Sequence, residues 1–307
     1  MIIDFHTHTF PDKIAESALE SLENSSETKA HTDGTNRGLL ESMEHAGVDI
    51  SVILPVVTNP DKAYSMNTYA ARVNETFLEA GCKKGQFSIG GIHPETPNIK
   101  NVLKEVKNLG LKGIKLHPDY YGVMFNDIRM KRIIDIASEL GLFVITHAGM
   151  DIGLYPPICC TIDSIIDVLK DVKPETLVLA HMGGWMNWEE VTERLAPVVR
   201  EYNEALSGQI ADSSKGVFLD TAFSIGEISW LDADSHRDYH QMSDEYFGLM
   251  VEVFGTDRIL FATDSPWADQ KDYVDRVGRI INEKFGASGE EALENIYHKN
   301  AENILCF

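Results

Sequence analysis

Met1-Ile2-Ile3-Asp4-Phe5-His6-Thr7-His8 opens the chain as a short apolar strand that runs into two histidines one residue apart. Ile2, Ile3 and Phe5 give it a buried character. The two-residue period of a strand predicts Asp4, His6 and His8 on one face, with Ile3 and Phe5 on the other. Two imidazoles at one strand end can grip one metal ion, although the dipeptide spacing alone equally fits two ordinary polar residues. The rest of the chain has to decide between them.

Working outward, seven further short apolar runs follow, at residues 48–54, 87–92, 111–117, 142–146, 177–180, 217–220 and 259–262. Helical periodicity fills the intervals, at 11–27, 36–45, 60–80, 97–107, 127–140, 162–169, 188–202 and 241–254, then at 273–285 and 290–305. Eight strands alternating with helices favour an α/β chain closed as a (β/α)8 TIM barrel over a smaller doubly wound sheet, in one domain spanning 1–307. The long first connection, 9–47, is placed to cover part of a site.

Such barrels carry their chemistry at the C-terminal strand ends. That rule gives the polar residues one address: His6 and His8 follow strand one, His117 strand four, His147 strand five and His181 strand six. Asp220 ends strand seven and Asp264 follows strand eight. His31, His45, His236 and His298 fall elsewhere and read as ordinary loop or surface histidines. Lys115 and His117, two residues apart, share the inward face of strand four.

Composition narrows the class of partner. Among 307 residues, 27 Lys plus Arg face 48 Asp plus Glu, and the formal net charge of −21 disfavours nucleic acid and anionic lipid. A small-molecule substrate is the expected partner, and a homo-oligomer through a complementary interface stays open. Cys82, Cys159, Cys160 and Cys306 show no C-x-x-C spacing and read as reduced thiols. No leader pattern and no apolar run of the roughly 20 residues that span a bilayer is seen, and a strand starting at Ile2 leaves no room for a cleaved leader, so a cytoplasmic location is expected.

Five segments, taken in barrel order, carry a resemblance: Asp4-Phe5-His6-Thr7-His8, Ile114-Lys115-Leu116-His117-Pro118, Ile145-Thr146-His147-Ala148, Leu179-Ala180-His181-Met182-Gly183-Gly184-Trp185 and Ala262-Thr263-Asp264-Ser265-Pro266-Trp267. Together the chain resembles the amidohydrolase superfamily over essentially its whole length. The nearer likeness is to the amidohydrolase-related branch, which includes metal-dependent decarboxylases of aromatic or unsaturated acids. The resemblance implies that His6, His8, His147 and Asp264 bind one divalent metal, zinc first, with manganese or a binuclear site as alternatives. It makes Asp264 also the acceptor of a proton from metal-activated water.

His181 takes a separate acid/base role under the same resemblance, or else serves as a ligand to a second metal. Lys115 is expected as a buried or substrate-facing ammonium rather than a carbamylated bridge, and His117 as a substrate contact; a core hydrogen bond suits either as well. Tyr120, Trp185, Asp220 and Trp267 are further substrate-contact candidates, with loop packing the alternative for each tryptophan. Gly183 and Gly184 let the backbone turn beside the site. No arginine stands in a strand-end motif, which weighs against a dedicated carboxylate clamp.

Three functions follow in order of expectation. First comes hydrolysis of a small ester, lactone or amide by metal-activated water. Second is nonoxidative decarboxylation of a small aromatic or conjugated acid, and third a noncatalytic metal-binding barrel.

Overall fold

A computed structural model describes residues 1–154, 156–210, 212–232 and 238–306 of the chain; His236 lies outside them. Nine strands run in chain order: β1 Ile3–Thr7, β2 Ile50–Ile53, β3 Gly85–Ser88, β4 Gly90–Gly91, β5 Gly113–Leu116, β6 Phe143–Thr146, β7 Thr176–Leu179, β8 Gly216–Asp220 and β9 Ile259–Leu260. They form two all-parallel sheets, β1-β2-β3 and β4 through β9 in sequence order. Phe5 N donates to Phe261 O (2.9 Å), Asp264 N to His6 O (2.8 Å) and His8 N to Ser265 O (2.7 Å), which joins the first strand to the last. The ring closes as a (β/α)8 barrel.

The third expected strand, 87–92, appears as β3 and β4 with Ile89 between them. Two asparagines of helix Ala63–Glu79 explain the break. Asn74 pairs with the backbone N–H and C=O of Ser88 (2.6 and 2.9 Å), and Asn67 does the same for Gly91 (2.8 and 3.1 Å). Side-chain amides thus satisfy backbone groups that a continuous ladder would otherwise pair.

Alternation along the strands sorts the core into two layers. Phe143, Ile145, Val178, Phe218 and Leu260 pack together inside the ring, whereas Ile114, Leu116, Val144, Leu177, Leu179 and Ile259 pack outward against helices. The helices follow from ordinary signals. In Asn36–Ala46, Thr35 caps the N-terminus by accepting from Gly38 N, Leu39 and Met43 supply the buried stripe, and Gly47 ends the helix at φ 74°. No helix among the described residues is long and apolar enough to cross a membrane.

The predicted face-sharing of Asp4 with His6 and His8 does not hold. Asp4 pairs with Ser51 but Thr7 with Ile53, so β1 takes three steps where β2 takes two. The extra residue is a bulge, and it turns side chains that simple alternation would separate toward the same side. Phe5 enters the ring, 5.5 Å from the Phe143 ring, and His6 beside it also enters, bonding Asp220. Asp4 faces out toward the last long helix, Gln270–Phe285.

There Asp4 is fully buried. Its Oδ1 accepts from Thr263 N (3.0 Å) and His6 N (3.3 Å), and its Oδ2 from Thr263 Oγ1 (2.6 Å) and Gln270 Nε2 (2.7 Å). Asp4→Ala strands these donors in a dry interior, where each unpaired group costs about 1–3 kcal/mol, so a total loss of about 3 kcal/mol or more is expected. The urea midpoint measures it. A midpoint equal to that of the parent would refute the clamp.

Candidate metal centre

The barrel brings its polar strand ends to one mouth. Lys115 is the third residue of β5 and His117 follows that strand, His147 follows β6, His181 comes two residues after β7, Asp220 ends β8 and Asp264 follows β9. His181 (φ 57°) and Asp264 (φ 70°) both hold left-handed backbone, an uncommon state for non-glycine residues that turns each side chain sharply off its strand.

Hydrogen bonds on the outer ring nitrogens decide which lone pairs face inward. His8 Nδ1 lies 2.8 Å from Leu54 O, His181 Nδ1 2.9 Å from Ala222 O and His147 Nε2 3.2 Å from Met150 O. A carbonyl only accepts, so each of those nitrogens carries the proton and leaves the other bare. His6 Nδ1 donates to Asp220 Oδ2 (2.8 Å), and Lys115 Nζ donates to His6 Nε2 (3.2 Å), which gives His6 the same polarity. Burial holds His6, His147 and His181 below the usual imidazole range, and the Lys115 ammonium pushes the same way on all three. Neutral rings keep their inner lone pairs.

The bare atoms converge. His6 Nε2 is 3.1 Å from His8 Nε2, Asp264 Oδ1 is 3.1 Å from His8 Nε2 and 3.4 Å from His6 Nε2, and His181 Nε2 is 2.9 Å from His147 Nδ1. Contacts between acceptors repel unless a cation or a proton lies among them. Imidazole nitrogens with one carboxylate oxygen are a donor set for a divalent metal such as zinc or manganese, so these residues fit the ion that the resemblance implies. Asp220 supports them from behind: its Oδ1 accepts from the backbone N–H of His181 (2.9 Å) and Ala222 (3.1 Å).

Two sets of candidate donor atoms each lie within 4.8 Å of one another: His6, His181 and Asp264, and His117, His147 and Asp151. His147, expected with His6 and Asp264, therefore joins them by way of His181. Its ring stacks on His117, with centroids 4.2 Å apart, and its Nε2 is tied to Met150 O. In the second set His117 Nδ1 accepts from Tyr120 N (3.4 Å) and caps the short helix Pro118–Tyr121. That leaves its Nε2–H to face Asp151 Oδ2 at 3.2 Å, a pair already satisfied as a hydrogen bond.

A cavity of about 640 Å³ opens above these groups. Lys115, His117, Tyr120, Trp185 and Trp267 line it, and so do Phe10, Ile14 and Leu22 of the first connection. Asp220 departs from its expected role: it is wholly buried and holds His6 instead of reaching the cavity. Trp188 stands off the cavity and donates from Nε1 to His181 O (3.0 Å). Lys115 is 1% exposed, and burial draws its ammonium down to about 8, while burial pushes Asp220 up to about 7 against the pull of that ammonium. His31, His45 and His298 stand off the cavity.

Asp151, Phe223 and the carbonyls of Leu54, Met150 and Ala222 belong to the site without having been picked out from sequence. Asp151 offered a signal, standing four residues after His147 in a segment that follows a strand. Backbone carbonyls offer none.

The sequence pattern of the Amidohydrolase family matches residues 3–307. No curated protein matches the chain. Among solved structures, IDCase from Metarhizium anisopliae in its apo form superposes with a TM-score of 0.65 at 16% identity, covering 100% of this chain and 97% of that one. A 5-carboxyvanillate decarboxylase from Novosphingobium aromaticivorans, complexed with manganese and 4-hydroxy-3-methoxy-5-nitrobenzoic acid, gives 0.64 at 14%, covering 100% and 96%. A 2,6-dihydroxybenzoate decarboxylase from Rhizobium gives 0.63 at 13%, covering 99% and 98%. Identities this low carry the fold, and the family match carries membership: the chain belongs to the amidohydrolase superfamily, in its amidohydrolase-related branch.

Proposed function

We propose that the chain is a metal-dependent decarboxylase that removes carbon dioxide from a small aromatic or conjugated carboxylic acid. The observation that carries this reading is the buried Lys115 ammonium at the floor of a cavity walled by Tyr120, Trp185, Phe223 and Trp267. A cationic floor suits the carboxylate end of an acid, and flat apolar walls suit its conjugated body. The decarboxylases named above share this fold over nearly their whole length, which supports decarboxylation ahead of hydrolysis.

The ligands in this reading are His6, His8, His147 and Asp264, and an ion held there, zinc or manganese, would supply positive charge to draw electrons from the breaking bond. Lys115 holds the acid end. When the carbon–carbon bond breaks, its electron pair stays on the substrate carbon. His181, in its doubly protonated form, delivers a proton from Nε2 to that carbon, while Nδ1 stays bonded to Ala222 O. Burial disfavours this protonated form, and the nearby Asp264 charge offsets part of that. Trp185, fixed by its Nε1 bond to Gln241 (3.1 Å), helps keep water from the carbon. One domain over 1–307 and one small molecule suffice.

Hydrolysis of a small ester, lactone or amide is the second reading. It is favoured by Asp264, a carboxylate within 3.4 Å of two imidazole nitrogens and open to the cavity, where it can take a proton from water. Zinc- and manganese-loaded protein should be offered small aromatic and unsaturated acids alongside esters, lactones and amides. Carbon dioxide release matched one to one by the decarboxylated product is the expected result. Hydrolysis without carbon dioxide would move the assignment to the second reading, and neither activity in metal-loaded protein would sink both.

A further inference from the structure

The cavity continues past the donor array into an arm between two helices. Helix Asp12–Ser26 lines it with the apolar trio Ile14, Ala18 and Leu22 and, at its C-terminal end, Ser25 and Ser26, and helix Ala63–Glu79 with the trio Met66, Ala70 and Val73 beside Ser65 and Tyr69. Spacings of four, and of four and three, set each trio on one helix face. At 1.5 Å per residue, the span from Ile14 to Leu22 is about 12 Å. None of the six carries a polar side chain.

The first helix is unusual in having two apolar stripes. Ala15 and Leu19 are the packed one, 2% and 7% exposed, and they anchor the helix to the rest of the fold. Ile14, 50% exposed, begins the other stripe, which no side-chain core covers. A surface helix needs one stripe to stay attached. The second is free to meet a ligand that enters the same cavity.

We propose that this arm binds an extended apolar chain on the substrate, a straight alkyl or alkenyl segment about as long as the stripe, with the carboxylate at Lys115. The inference rests on the acid-binding floor of the proposed function and adds the class of acid: one with an apolar tail. A compact single-ring acid would leave Ile14, Leu22 and Met66, none of them buried, uncovered. A tail that covers them gains the free energy of each buried methylene, and the arm thereby selects among acids by length.

Calorimetric titration of metal-loaded protein with saturated straight-chain monocarboxylates, butyrate through decanoate, tests this directly. The dissociation constant is expected to fall about three- to fourfold for each added methylene until the arm is full. Ala18→Trp and Met66→Trp fill the arm from opposite walls. Each should weaken decanoate by about thirtyfold, the equivalent of some three lost methylenes, and leave butyrate within about twofold.

A dissociation constant independent of chain length would overturn the arm, as would undiminished decanoate binding in a folded variant, which would place the acid on the outer surface. Should Ala18→Trp fail to fold, Met66→Trp gives the same answer from the other helix. The two readings also fail separately. A steep length series without carbon dioxide release from any acid would refute decarboxylation and uphold the arm, whereas release from a compact acid with a flat series would refute the arm alone.

Discussion

Asp264→Asn should lower turnover by about a thousandfold or more and weaken divalent metal binding by at least about a hundredfold. The basis is charge. Asp264 supplies the carboxylate in the inner array, 3.1 Å from His8 Nε2 and 3.4 Å from His6 Nε2, and the carboxamide keeps its shape while removing its negative charge. Losing a partner that merely orients a ligand already costs about 10–100-fold in metal affinity, so a direct anionic donor stands at or above the top of that range. Under the hydrolytic reading, loss of a positioned proton acceptor would add about 10²–10⁴ in rate.

The backbone should tolerate this change. Asp264 sits at φ 70°, where asparagine is among the most readily accepted non-glycine residues. The variant can therefore be compared with the parent by far-ultraviolet circular dichroism, elemental analysis and kcat/KM on one preparation. A folded variant with full metal content and unchanged kcat would show that Asp264 is neither ligand nor acceptor.

His181→Asn is expected to lower kcat by about 10²–10⁴ while retaining about one metal per chain. Here again φ is positive, 57°, so asparagine suits the backbone. The variant removes the nitrogen that faces His147 Nδ1 at 2.9 Å and leaves His6, His8 and Asp264 in place. Elemental analysis of parent and variant, purified without added metal, separates the two roles open to this histidine. One ion in each marks it as the acid; two ions falling to one mark it as a ligand and favour a binuclear hydrolase. Metal loss equal to that of Asp264→Asn would dissolve the division of labour between the two residues.

Much of this centre could be read from sequence because a barrel converts order along the chain into position around a ring. Once eight apolar runs were recognised, His6, His8, Lys115, His117, His147, His181 and Asp264 had only one end of the barrel to occupy, and they occupy it. The misreadings share a physical cause, since strand periodicity carries no information on where a residue is inserted or which neighbour takes a hydrogen bond. The bulge between Asp4 and Thr7 sent Asp4 outward to Thr263 and Gln270. Asp220 has the right strand position for substrate contact yet lies beneath His6, and only the tertiary packing reveals that depth. The inward lone pairs of His8, His147 and His181 depend on carbonyls of Leu54, Met150 and Ala222, groups that every residue possesses.

The joining of the first strand to the last has a consequence for how the molecule comes into being. Asp4 and Thr263, bonded to each other, are 259 residues apart, and His6 and His8 meet Asp264 across the same junction. Loop closure over such a separation is among the slowest contacts a chain can make. During synthesis the two histidines emerge long before their carboxylate partner exists. An ion held by all three, as the proposed ligand set has it, would tie the first strand to the last, so that filling the centre and securing the ring would be one event.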